Sequence, residues 1–291
     1  MKVLVTGGAG FLGSHVADAF SRAGHEVVVF DIRPSPWLRR DQTEIVGDLL
    51  DNECVESALD GVDCVFHLAA LADLNDAKTR PVDSVRLNIL GTVQLLEAMR
   101  KLEIKQLLFS STVYVYSREG SFYRCSKQAC EAYIEEYQRR YGIDYTILRY
   151  GSLYGPRADT TNGVYRWLRQ AMLEGTVTHS GGPEDLREYI HVHDAARLSV
   201  DAAGSDYRNT HLVITGTTPY RIRDLFTMFE EMLGRDVSVD YLHHRGGHYK
   251  VTPYAFTPKV GHKLTANPHV DMGQGLLQVM EQLHDEQGSD R

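Results

Sequence analysis

Tyr123 and Lys127 stand four residues apart in the segment Tyr123-Arg124-Cys125-Ser126-Lys127. On a helix this spacing puts both side chains on one face, one turn apart. A tyrosine hydroxyl, with an ordinary pKa of about 10, is a poor base at neutral pH, and a neighbouring ammonium favours its phenolate. Such a pair can take a proton from an alcohol. Alone, the spacing equally describes a half-buried ring beside a solvated lysine stem. Weight is added by Ser110-Ser111-Thr112 at the end of the preceding apolar run, where a hydroxyl would relay or polarise the same substrate oxygen.

A second constellation binds rather than reacts. Gly7, Gly10 and Gly13 lie between the apolar run at 2–6 and a helical pattern of Phe11, Leu12, Val16, Ala17 and Phe20. Glycines there let the chain turn tightly and let a pyrophosphate approach the backbone, while the helix N-terminus offers free N–H groups and partial positive charge. The next apolar run ends at Asp31, whose carboxylate would accept hydrogen bonds from an adenosine ribose diol and repel a 2′-phosphate, favouring NAD over NADP. Arg33 would soften that preference, or it is a solvated loop arginine. An oxidised nicotinamide held here would add its positive charge to that of Lys127 in favouring the tyrosine phenolate.

Positioning these groups needs a strand, a glycine turn, a helix and a strand, the unit of a parallel sheet. The alternation continues with strands at 44–46, 64–68, 106–110 and 145–148. Between them lie helices at 52–59 and 126–141 and a long helix ending near Lys101. The expected fold is α/β, a doubly wound parallel sheet over 1–150 with ligands at the carboxyl ends of its strands. After Arg149, Gly151, Gly155, Pro156 and Gly181-Gly182-Pro183 punctuate short elements. They mark a smaller C-terminal substrate-binding lobe over 151–187 and 216–285. Residues 188–215, with a strand near Tyr189 and another at 212–214, are expected to return to the first domain.

Composition excludes several classes. Lys plus Arg number 31 against 39 Asp plus Glu, a net charge of −8, so no global field attracts nucleic acid or anionic lipid, and any phosphate must be held locally. No stretch approaches the roughly 18 apolar residues of a membrane span. The N-terminus carries no signal-peptide core. Cys54, Cys64, Cys125 and Cys130 form no ligand spacing and read as free thiols. The expectation is a soluble cytoplasmic protein without a metal. The densest histidine group, His243, His244 and His248, has no acidic or thiol partner in line.

In order along the chain, the motifs are Thr6-Gly7-Gly8-Ala9-Gly10-Phe11-Leu12-Gly13, Gly47-Asp48-Leu49, His67-Leu68-Ala69-Ala70, Asn88 with Gly91-Thr92, Ser110-Ser111-Thr112, Tyr123 with Lys127, 148–157 and 187–194. Together they resemble the extended short-chain dehydrogenase/reductase family, in particular its NAD-dependent sugar-nucleotide epimerases and dehydratases. The resemblance implies a Rossmann domain in which Asp48 and Leu49 bracket the adenine and Ala69 and Ala70 line the path to the nicotinamide. Phe11, Leu12, Leu68 and Asn88 would complete the cofactor site, and Lys127 would also hold the nicotinamide ribose. Thr112, Tyr123 and Lys127 resemble the catalytic triad, while Ser152, Arg187 and Arg245 fall where the family holds the diphosphate of a nucleotide sugar. A homodimer is implied through the helices ending near Lys101 and Tyr141, with Tyr133, Ile134 and Tyr137 either an outward stripe or packed on the sheet.

Departures narrow the reaction. The Asp-Glu pair with which dehydratases eliminate water is Val113-Tyr114 here, and the cysteine of reductive 3,5-epimerases is also Tyr114. The asparagine usual before the Tyr-Gly-Pro segment is Ser152, a shorter donor. The connection from Thr112 to Tyr123 is shorter than in most relatives, which should open the site. The expected activity is C4 epimerisation of a nucleotide-linked sugar through a 4-keto intermediate. Alternatives are a sugar-nucleotide dehydrogenase or 4-ketoreductase with net hydride transfer, or a non-enzymatic dinucleotide sensor.

Overall fold

Valine, leucine and phenylalanine runs buried on both faces form the centre of the molecule, as parallel strands covered on both sides require. The computed structural model describes residues 1–242. Its first strands and helices are β1 (Lys2–Thr6), α1 (Phe11–Arg22), β2 (Glu26–Asp31), β3 (Gln42–Val46), α2 (Asn52–Ala58) and β4 (Cys64–His67). After the helical stretch described below come β5 (Gln106–Thr112) and β6 (Asp144–Tyr150).

The seven-stranded sheet runs β10-β6-β5-β4-β1-β2-β3, where β10 is Thr210–Ile214. All its pairings are parallel. One face packs Val55, Leu95, Leu96, Met99, Cys130 and Ile134 from the helices, and the other packs Val16, Ala17, Phe20, Ala195 and Ala196. Strand order reverses between β1 and β4, so a crevice opens beyond their carboxyl ends, where such sheets bind ligands. Thr6 pairs with His67 at that edge, and Thr112 with Tyr150.

Three sequence expectations need correction. The helix ending at Lys101 is not continuous: it runs as α3 (Leu74–Thr79), a single turn α4 (Pro81–Asp83), a π-helical segment Ser84–Leu90 and α5 (Gly91–Lys101). Pro81 lacks the N–H that would continue the first piece, and the wide π turn brings Asn88 inward. Helix α6 spans Ser121–Tyr141, starting after left-handed Gly120 and ending at left-handed Gly142, so Tyr123 lies in its first turn. The strand around Tyr189 does not join the large sheet. It is β9 (Leu186–His191), which pairs with β7 (Ser152–Tyr154) and β11 (Pro219–Arg221) in a three-stranded sheet. Only α8 (Val192–Asp201) and β10 lie on and in the large sheet.

Beyond β7, α7 (Gly163–Glu174) is capped by Asn162. It packs with α9 (Ile222–Leu233) around Trp167, Phe226 and Phe229, beside a two-stranded sheet of β8 (Thr176–His179) and β12 (Ser238–Tyr241). The expected stripe on α6 divides: Ile134 and Tyr137 are in the core, and Tyr133 is exposed. Among the described residues no helix is long and apolar enough to cross a membrane, and no group of three His, Cys, Asp or Glu could hold a metal. Arg245, the histidines 243, 244 and 248, and the lobe beyond 242 lie outside the described residues.

Candidate active site

The turn between β1 and α1 is closed by backbone contacts that leave no room for side chains. A Cβ at Gly13 would stand 2.1 Å from the Gly7 carbonyl oxygen, and one at Gly7, whose φ is 70°, would stand 2.7 Å from the Ala69 nitrogen. Helix α1 starts at Phe11 with no side-chain cap and no acid in its first turn, so its leading amides suit an anion. Asp31 reaches back to this turn, accepting from Ala9 N at 3.0 Å and from Arg33 N at 3.4 Å. Arg33 itself is exposed in the following bend. These residues fit a dinucleotide: a glycine cradle, a free helix terminus and a carboxylate at the end of β2. Asp48 accepts from Leu50 N at 2.9 Å, and Leu49 packs against Gly91, where a Cβ would meet its Cδ2 at 2.9 Å.

A buried polar network ties this cradle to α6. Thr6 Oγ1 accepts from the nitrogens of Leu68 and Ala69, both at 3.2 Å, which leaves its proton for His67 Nδ1 at 2.7 Å. His67 therefore carries its hydrogen on Nε2 and donates to Thr92 Oγ1 at 3.0 Å, which in turn donates to the Asn88 carbonyl at 2.6 Å. Burial, with the Lys127 charge nearby, pushes His67 down to about 3, so this ring is neutral. The Asn88 side chain accepts from Leu71 N at 2.7 Å and donates to the Leu71 carbonyl and to Ser126 Oγ. Its amide is thus fully engaged by protein, and it holds the wall at 68–71 against α6 rather than offering a free group. Ser126 passes the contact on to the Tyr123 carbonyl at 2.8 Å.

Thr112 closes β5 at its carboxyl end, and Tyr123 and Lys127 lie in the first two turns of α6. Thr112 Oγ1 accepts from Tyr114 N at 3.3 Å, which leaves its hydroxyl proton for another acceptor. Lys127 is buried, with its Nζ 4.5 Å from the Phe109 ring centroid and 5.7 Å from that of Tyr123. Burial lowers the Lys127 ammonium to about 8, opposed by Cys130 and Glu131. Burial raises the half-buried Tyr123 above its ordinary value, and Tyr114 and Cys130 add to the rise. Protein alone therefore keeps Tyr123 as the phenol, and a cation bound beside it is needed to shift that balance.

The short connection after Thr112 is a 3-10 turn, Val113–Tyr116, and it brings in a residue the sequence marked only as a departure. Arg187 Nη1 donates to both Tyr114 Oη and Ser152 Oγ, each at 3.2 Å. Ser152 and Arg187 are thus brought together across β7 and β9, with Tyr114 completing the group. Sequence spacing carried no signal for this contact, because the three residues come from separate elements.

The chain matches the description "NAD dependent epimerase/dehydratase family" over residues 3–214. A solved UDP-glucose 4-epimerase from Thermotoga maritima with UDP-glucose superposes with a TM-score of 0.80 at 32% identity, covering 88% of this chain and 90% of that one. The UDP-glucuronic acid 4-epimerase of Bacillus cereus, in complex with UDP-glucuronic acid and NAD, gives 0.79 at 27% identity, covering 90% and 95%. A curated relative from Bacillus cytotoxicus, a UDP-N-acetyl-alpha-D-glucosaminuronate decarboxylase, is 28% identical over 230 residues, covering 69% of this chain and 70% of its own. With a family match over residues 3–214 and a fold shared with the two solved epimerases, the chain belongs to the NAD-dependent epimerase/dehydratase family.

Proposed function

We propose that this protein is an NAD-dependent epimerase that inverts C4 of a nucleotide-diphosphate sugar. The observation that carries this reading is the buried Lys127 one helical turn from Tyr123, with the Thr112 hydroxyl, which accepts from Tyr114 N, at the end of β5. That set can move a proton in either direction. No carboxylate follows Thr112 to eliminate water, since Val113 and Tyr114 stand there.

Bound NAD would supply the hydride acceptor and donor, held by the glycine turn, Asp31, and Lys127 on the nicotinamide ribose. Lys127 keeps positive charge beside Tyr123, and the Tyr123 phenolate takes the proton of the 4-hydroxyl as the hydride leaves C4. Thr112 donates a hydrogen bond to the same oxygen, favouring the carbonyl that forms. The 4-keto sugar turns over in the crevice, so that the hydride bound NAD would return reaches the opposite face of C4, while Tyr123 gives the proton back to the oxygen. Ser152 and Arg187 hold the diphosphate, a task suited to a guanidinium fork in a chain of net charge −8.

The test is direct. The purified protein is assayed for co-purified NAD and incubated with UDP-glucose, UDP-GlcNAc, UDP-glucuronate and their GDP and dTDP counterparts, with products read by NMR. A C4 epimer without net NADH is expected. Net NADH turnover supports the dehydrogenase or ketoreductase reading instead, and carbon dioxide from a uronate would indicate decarboxylation. Folded, NAD-loaded protein that yields no epimer from any of them overturns the proposal.

A further inference from the structure

A buried ion pair lies directly behind the reacting residues. Glu131, one turn after Lys127 on α6, accepts from Ser111 Oγ at 2.5 Å and from Arg149 through Nε at 3.1 Å and Nη2 at 2.7 Å. Arg149, on β6, donates its other amino group to Tyr116 Oη at 2.6 Å and lies 4.7 Å from the centroid of that ring. The side chains of Arg149 and Glu131 are only 15% and 9% exposed. Ser111 precedes Thr112, and Tyr116 ends the turn that Thr112 caps.

Buried ion pairs are poor stabilisers, because desolvation offsets their attraction and apolar packing of similar volume does as well or better. This one bonds both carboxylate oxygens of Glu131 and joins β5 and α6, which carry the reacting groups, to the 3-10 turn between them, with β6 as the anchor. We propose that Glu131 and Arg149 are positioning residues of the active site, holding Thr112 and the Tyr114–Tyr116 turn in register with Tyr123 and Lys127 and placing a carboxylate one turn from the lysine ammonium.

Two effects follow, one geometric and one electrostatic. Lys127 is faced by Tyr123, Cys130 and Glu131 on its own helix, by the neutral His67 from β4 and by the Phe109 ring from β5; Tyr114 from the turn faces Tyr123. Among the described residues Glu131 is the one carboxylate acting on Lys127, opposing the loss of its proton. Removing that charge lowers the pH at which the ammonium is lost. Removing the Tyr116 hydroxyl loosens the turn and leaves the carboxylate in place.

The pair's role rests on the proposed function for its kinetic readout only. The experiment compares Glu131→Gln and Tyr116→Phe with the native protein, titrating Lys127 by NMR of selectively labelled lysine and recording the pH profile of epimerisation. Glu131→Gln is expected to move the Lys127 titration down by about one pH unit and the alkaline limb of kcat by the same amount. Tyr116→Phe is expected to lower kcat by roughly 2–10-fold, the size of one lost hydrogen bond, with the Lys127 titration unmoved. If Glu131→Gln does not fold, Tyr116→Phe decides: it keeps the ring under the guanidinium, and native kcat there overturns the proposal. A folded Glu131→Gln with an unshifted Lys127 also overturns it, and leaves the epimerase reading standing. The titration needs no substrate, so it tests the pair even if no nucleotide sugar is turned over.

Discussion

The Lys127 ammonium sits 4.5 Å from the centroid of the Phe109 ring, buried between α6 and β5. The ring face returns part of the attraction that water supplied. The exchange is incomplete, since burial still brings the lysine from 10.5 to about 8. The reacting groups are thus assembled at a cost in stability, and the cost has a sign that can be measured.

Lys127→Met should stabilise the cofactor-free protein while abolishing turnover. Between pH 8 and 10.5 the unfolded chain binds the lysine proton more tightly than the native state, so native stability rises with pH across that window and carries the full penalty below it. At about 1.4 kcal/mol per pH unit the penalty near pH 7 is up to about 3 kcal/mol. Urea unfolding at pH 7 should show the variant more stable, with the gap closing by pH 10.5. A variant less stable than native at pH 7 would contradict this account.

Gly13→Ala should disrupt the cradle. Its Cβ would meet the Gly7 carbonyl, a backbone atom, at 2.1 Å, so the turn must open at a cost of roughly 1–3 kcal/mol and with loss of NAD binding. Gly24→Ala is the control. Its φ is 83° with nothing within 4 Å, so it should cost about 1 kcal/mol and leave NAD titrations unchanged. Equal NAD affinity in the two variants would refute the cradle as the dinucleotide site.

Arg187→Lys and Tyr114→Phe should raise KM for the nucleotide sugar without altering NAD affinity. The lysine loses the fork that bonds Tyr114 and Ser152, and the phenylalanine removes one acceptor, worth about 0.5–1.5 kcal/mol or roughly 2–10-fold. Steady-state kinetics with NAD titrations separate the two ligands. Weakened NAD binding with an unchanged KM would place Arg187 on the wrong side of the crevice.

Asp31→Asn should weaken NAD and narrow its advantage over NADP. The carboxylate already accepts from Ala9 N, and a charge-assisted bond from a ribose hydroxyl is worth about 1.5–3 kcal/mol. Paired dissociation constants for NAD and NADP report the change. An unaltered ratio would mean that Asp31 serves the turn and not the ribose.

How much of this was legible in the chain follows from how far apart the partners lie. Gly7, Gly10, Gly13 and Asp31 belong to one strand–turn–helix–strand unit, and Tyr123 and Lys127 to one helix turn. In both cases local backbone geometry converts sequence spacing into spatial proximity, so the sequence by itself determined the doubly wound sheet, the cradle and the tyrosine–lysine face. Tertiary structure decided what depends on pairing between distant elements. Arg187 meets Tyr114 only because β9 pairs with β7 in a separate sheet, and Glu131 meets Arg149 only because α6 packs across β5 and β6. The break in the helix before Lys101 was half visible at Pro81, but the π turn exists where Asn88 bonds both Leu71 and Ser126. Burial decided the protonation of His67, Tyr123 and Lys127, because a side chain's charge depends on the water removed around it, and no spacing of residues along a chain records that.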